Sequence, residues 1–224
     1  MDYEECSERL WNLNYTKVWL GNFMIFFSFM LLTPLLPSYL SEVFGADKQT
    51  IGIVLSGYTL TALMIRSLSG FLVDSLPRRM VLMTSYFIFA LCFAGYLVAG
   101  SLLLFAIVRT LHGAPFGATT VSNSTVAIDV LPSQRRGEGI GYWGLSNNFA
   151  MAVGPSLSLL LYSRFNDYNL LFTVSLVCAL VGLLINSFVD CKYRPPVMEK
   201  KKMSLDRFVL IQGWSQGICI ALIA

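Results

Sequence analysis

The stretch GFLVDSLPRRM, residues 70–80, lies between two long apolar runs and sets Asp74, Arg78 and Arg79 within six positions. The runs on either side, near 49–73 and 80–99, each approach the length of about 20 residues that a helix needs to cross a hydrocarbon core. The stretch therefore reads as a tight polar hairpin joining two membrane helices. Counting back along the helix before it, Gly70 lies four residues from Asp74 and Arg66 four further, so the three share one face. Gly70 on that face would let another helix approach closely.

Working outward, the same length of apolar run recurs near 17–40, 101–126, 138–162 and 168–190, giving six spans, with a seventh beginning near Arg207. A chain that is 55% hydrophobic and 13% charged is too apolar for a soluble domain of this size and reads as an all-α integral membrane protein. It divides into a polar N-terminal segment (1–16), a six-helix bundle (17–190), a linker rich in Pro and Lys (191–206) and the start of a seventh helix (207–224). We read it as part of a longer protein. If the N-terminus is inside, 12 of the 16 Lys and Arg residues fall in inner segments, from Arg9 and Lys17 through Arg78, Arg79, Arg135 and Arg136 to the linker. That asymmetry predicts a multi-pass protein of the cell membrane with a cytoplasmic N-terminus.

Several function classes drop out. The net charge of +3 is spread over short loops instead of one polar face, which argues against nucleic acid. The five cysteines stand singly, with no CxxC pair and no His/Cys cluster at metal spacing, so neither a metal nor a cofactor is expected. The acidic N-terminal segment is unlike a cleaved signal peptide. GIGYWG (139–144) matches a dinucleotide-binding glycine pattern in form, but no strand precedes it. NYT and NST match glycosylation acceptors, one in an inner segment and one within the fourth span.

Three motifs carry a family resemblance. GFLVDSLPRRM resembles the signature of the major facilitator superfamily, Gly-x-Leu-x-Asp-x-x-Gly-Arg-Arg, found between its second and third helices. Gly70, Leu72, Asp74, Arg78 and Arg79 match, and Pro77 stands where Gly is usual. IVRTLHGAPFGA in the fourth span resembles Arg-x-x-Gln-Gly-x-x-x-Gly, with Arg109, Gly113 and Gly117 matching and His112 in place of Gln. GLSNNFAMAVGPSLSLLL in the fifth resembles the Gly-Pro motif of the superfamily's antiporters, keeping Gly144, Gly154 and Pro155. The resemblance implies the N-terminal six-helix half of a transporter of the drug:proton antiporter kind. Its partners would then be a small-molecule substrate, protons, the lipid bilayer and the C-terminal half of the same carrier. It also implies that Asp74, Arg78, Arg79 and Asp129 form an inner-gate charge cluster, with contacts among Asp74, Arg78 and Asp129 that are made in one state and broken in the other.

Ionisable groups inside spans are costly and mark function. Arg66 is near enough to the inner end for its long chain to snorkel. Arg109 stands about eight residues, roughly 12 Å, from the outer end of its span and should face a polar cavity. His112, one turn on, is the one histidine, and an ordinary pKa of about 6.5 suits it to proton exchange. Asn22 and Phe26 in the first span, Phe116 in the fourth, and Asn147 and Asn148 in the fifth complete the expected substrate and proton cavity. The first span holds no carboxylate, which weighs against a bulky cationic drug. These features point to a proton-coupled exporter of a small organic solute, with an importer or uniporter of the same fold as the alternative. An enzyme using His112 and Asp129 is disfavoured, since 17 residues separate them by roughly 25 Å along one helix.

Overall fold

The structure, a computed structural model, describes residues 9–190. The linker of residues 191–206 and the start of a seventh span at 207–224 lie outside the described residues. The described part is built from helices, with no strand among the described residues.

Helix α1 (Leu13–Leu32) begins where Asn12 accepts a hydrogen bond from the Tyr15 backbone N–H at 2.8 Å, the usual way to satisfy an orphan donor at a helix start. It stops at LLTPLLP. Pro34 and Pro37 have no N–H to offer the turn before them, so the first span breaks into α1 and α2 (Leu36–Phe44), with Pro in the opening turn of α2. The apolar run of 17–40 does not reveal this break. Gly45 closes α2 in the left-handed conformation, φ 63°. Asp47 then caps α3 (Lys48–Ser75), accepting from the Thr50 N–H. Hydrogen bonds from Thr50 hold this exposed carboxyl below its ordinary range.

The turn at residues 76–77 leads straight into α4 (Arg78–Val98). Ser101 caps α5 (Leu102–Val130). A short 3-10 turn (Ser133–Arg135) precedes α6 (Arg136–Phe165), and α7 (Tyr168–Ser187) follows Asp167, which caps it.

Among the described residues five columns are long and apolar enough to cross a membrane: Leu13–Phe44, Lys48–Ser75, Arg78–Val98, Leu102–Val130 and Tyr168–Ser187. The sixth, α6, has 30 residues and packs beside α1. Its first half is diluted by Gly137, Gly139, Gly141, Gly144, Ser146, Asn147 and Asn148. Helix α5 is central, packed along α3 on one side and α4 on another, while α1 lies among α5, α6 and α7.

The core between them is aromatic: Tyr86, Phe89, Phe93, Tyr96, Phe105 and Phe172 are all fully buried. At one end Asn12 donates to the Val130 carbonyl (3.0 Å), Tyr15 to that of Gly139 (2.6 Å) and Lys17 to that of Phe188 (2.8 Å), tying α1 to three neighbouring segments. At the other end the Tyr162 and Tyr168 hydroxyls both donate to Glu42, at 3.1 and 2.8 Å.

Candidate transport site

The hairpin between α3 and α4 separates its charges. Arg78 forms an ion pair with Asp129, joining the start of α4 to the end of α5. The two side chains are 25% and 15% exposed, so the pair is partly shielded from water. Arg79 donates to the Ser187 carbonyl at 2.6 Å, fastening the same hairpin to α7. Asp74 stands apart: it is exposed and has no hydrogen bond or ion pair among the described residues. The expected four-member cluster is therefore divided: Arg78 pairs with Asp129, Arg79 holds the end of α7, and Asp74 is exposed on the last turn of α3.

Midway along the bundle α3 and α5 meet backbone to backbone. A Cβ on Gly113 would run into the Tyr58 carbonyl, and one on Gly117 would lie 2.6 Å from that of Ala62. Gly154 likewise leaves no room, with Met30 Cβ 2.6 Å from where its own would stand. Gly70 and Gly144 correct the expectation of close helix packing: each faces open space among the described residues. Pro155 lies inside α6 without ending it.

Just beyond the α3–α5 contact lies a groove of about 400 Å³ between α1, α3 and α5. Its walls include Phe29, Tyr58, Arg66, Arg109 and Phe116. Arg109 is 3% exposed. Its guanidinium carbon sits 4.2 Å from the Tyr58 ring centroid and 5.3 Å from that of Phe29, a geometry in which ring quadrupoles favour the cation. Phe26 supports the wall from behind, its ring 5.6 Å from that of Phe116.

His112 departs from expectation. It does not line the groove but sits fully buried among Phe89, Phe93, Tyr58 and Tyr96, with Phe89 and Phe93 ring centroids both 4.8 Å away. Arg109 and His112 are one turn apart on α5, yet the long arginine reaches towards α3 while the short imidazole is held against α4. One hydroxyl bridges them: Tyr96 Oη is 2.8 Å from His112 Nδ1 and accepts from Arg109 Nη1 at 3.5 Å.

The asparagines form a third centre. Asn22 donates to Ser146 Oγ at 2.7 Å and to Asn147 Oδ1 at 2.6 Å, and accepts from Asn123 at 3.3 Å, joining α1, α5 and α6. Asn148 is exposed and takes no part. The one cavity expected from sequence is thus three neighbouring centres: groove, aromatic box and amide cluster.

Sequence reasoning missed Tyr58, Tyr96, Phe29, Asn123 and Ser146. Aromatic and small polar residues are common in spans, and nothing in their local pattern distinguishes the ones that meet across helices. Among the described residues no group of three His, Cys, Asp or Glu side chains is placed to hold a metal ion.

A bundle of membrane-crossing helices with an ion pair at one end and a cation-walled groove within defines an integral membrane protein of the carrier class. The chain belongs to the Major Facilitator Superfamily, whose family model matches residues 18–220; it is a family of transporters, not of enzymes. Among similar proteins are a Na(+), Li(+), K(+)/H(+) antiporter of Planococcus maritimus, 25% identical over 86% of this chain and 46% of that protein. The staphyloferrin B transporter of Staphylococcus aureus is 24% identical over 78% of this chain and 43% of its own length. The quinolone resistance protein NorA of S. aureus is 23% identical over 60% and 34%. In fold the chain resembles the crystal structure of the human organic anion transporter MFSD10, with a TM-score of 0.67, 22% identity, and coverage of 80% of this chain and 47% of that one. The chain spans about half the length of the first of these relatives.

Proposed function

We propose that this chain is the N-terminal half of a secondary active transporter of the cell membrane. It would export a small organic solute in exchange for protons, by alternating access against a C-terminal half. Two relatives are named for antiport or drug resistance, which supports exchange and export. The basic connections, Arg78 and Arg79 on one side and Arg135 and Arg136 on the other, support a cytoplasmic location for the Arg78–Asp129 end.

The observation that carries the proton-coupled reading is the chain Arg109–Tyr96–His112. A fixed cation at the groove wall is connected through one hydroxyl to an imidazole, a group able to take up and release a proton. Occupying the groove would move the guanidinium, and with it the hydroxyl that holds His112 Nδ1, so substrate and proton would each bias the other's binding.

The test is flux in vesicles carrying the full-length protein, with and without an inward proton gradient. His112→Gln, which keeps a hydrogen-bonding side chain of similar size, is expected to bind substrate normally and to lose its response to the gradient. Tyr96→Phe should weaken the response without abolishing binding. Gradient-driven flux unchanged in His112→Gln would move proton coupling away from this residue.

A further inference from the structure

Every carboxylate among the described residues lies at a helix end or in a connection, from Glu42 to Asp190. The two permanent charges within the bundle's interior length, Arg66 and Arg109, are both cationic, and both wall the same groove. Arg109 is the more demanding of the two. It is almost fully buried, and among the described residues its Nε has no hydrogen-bond partner and its one hydrogen bond is the 3.5 Å contact with Tyr96. The ring stacking with Tyr58 and Phe29 offsets part of the cost of burying this charge, but no anion stands opposite it among the described residues. Tyr58, whose ring carries the guanidinium, has its own hydroxyl buried and without a partner among the described residues. Two orphaned buried donors and an unbalanced positive charge thus belong to residues that wall one groove.

We propose that the transported solute carries a carboxylate or another oxyanion, received by the Arg109 guanidinium in the groove between α1, α3 and α5. This rests on the transport reading above and names the substrate class for it. Guanidinium is the side-chain group whose planar fork matches two oxygens of such an anion at once. The Tyr58 hydroxyl supplies a further donor. The rest of the solute is apolar and flat: Phe29 and Phe116, with ring centroids 5.0 Å apart, form the wall beside the charge. A volume of about 400 Å³ falls at the small end of the range for organic ligands, about 300–1,000 Å³. Arg66, exposed and further along α3, adds long-range attraction at the mouth. An organic cation would meet two like charges there and no acceptor carboxylate.

The experiment compares three probes of nearly the same shape, naphthalene-2-carboxylate, its carboxamide and 2-naphthylmethylammonium. Equilibrium binding to the full-length protein in nanodiscs is measured at one pH throughout. The carboxylate is expected to bind about tenfold or more tighter than the amide, with the cation weakest. Arg109→Gln should erase the preference and Arg109→Lys should restore part of it, while Arg66→Gln, at an exposed position, should reduce it modestly. Should Arg109→Gln fail to fold, the ranking of the three probes on the unaltered protein still decides.

Equal binding of carboxylate and amide, preference for the cation, or no carboxylate binding at all overturns the proposal, as does a preference that survives in a folded Arg109→Gln. A carboxylate from residues beyond 190 already paired with Arg109 would give the flat ranking and overturn it equally. The antiport reading is decided by flux: anion preference without gradient-driven flux keeps this inference and removes antiport, and gradient-driven flux without anion preference does the reverse.

Discussion

A methyl group added at Gly113 meets the backbone of α3 at Tyr58, whereas one added at Gly144 meets nothing among the described residues. The same substitution therefore has opposite consequences at two motif glycines. Gly113→Ala is expected to force α3 and α5 apart, an overpacking cost of about 1–3 kcal/mol, seen as a lower melting temperature in detergent. Gly144→Ala should leave the melting temperature unchanged or raise it slightly, because Ala favours a helix interior over Gly by roughly 0.5–1 kcal/mol. Equal losses in both variants would refute the close α3–α5 contact. The motif pattern marks both glycines alike; which one is needed for packing depends on whether a neighbouring backbone lies across from it.

The ion pair between Arg78 and Asp129 ties two consecutive helices at one end, so its loss belongs to the α4–α5 unit. Asp129→Asn leaves a partly shielded guanidinium without its charge partner and should lower thermal stability. Asp74→Asn, at an exposed position outside that pair, should leave stability unchanged and reduce transport if Asp74 acts as a gate charge towards the other half. A double-mutant cycle on Arg78 and Asp129, read by melting, should give a coupling on the order of 1 kcal/mol. A coupling indistinguishable from zero would mean that the contact contributes nothing to holding α4 against α5. Local sequence announces the helix starts, through the N-cap positions Asp47, Pro77, Ser101 and Asp167. It does not announce the break at Thr33, since a run this apolar looks continuous until the two prolines are placed in register with the turns they interrupt.

Over the whole bundle, α3 is the least buried of the apolar columns and shows two different outer faces. Leu60, Met64 and Leu68 form an apolar one. Thr59, Arg66 and Gly70 are also exposed and lie on another, more polar side of the helix. A polar face turned to lipid would be costly, so this side is expected to border water or the C-terminal half. Cysteine introduced at Thr59 should react with a membrane-impermeant maleimide applied from one side, and cysteine at Met64 should not, because a thiol in hydrocarbon does not ionise to the reactive thiolate. Labelling of both to the same extent would show that the two faces share one environment.

The sequence by itself determined the all-α membrane class, the approximate positions of the spans, the hairpin between α3 and α4, and the family, whose motifs fall in consecutive short segments. All of these rest on signals carried within one helix or one turn: run length, proline and glycine placement, and charge between runs. Only the tertiary structure decided which polar residues meet. It separated Asp74 from Asp129, enclosed His112 in aromatic rings away from the groove, and brought Asn22 against Asn147 across 125 positions of sequence. The reason is geometric. Residues a turn apart on α5 differ by the reach of their side chains and by the neighbouring helix each one meets, and that neighbour is chosen by packing among all the helices together.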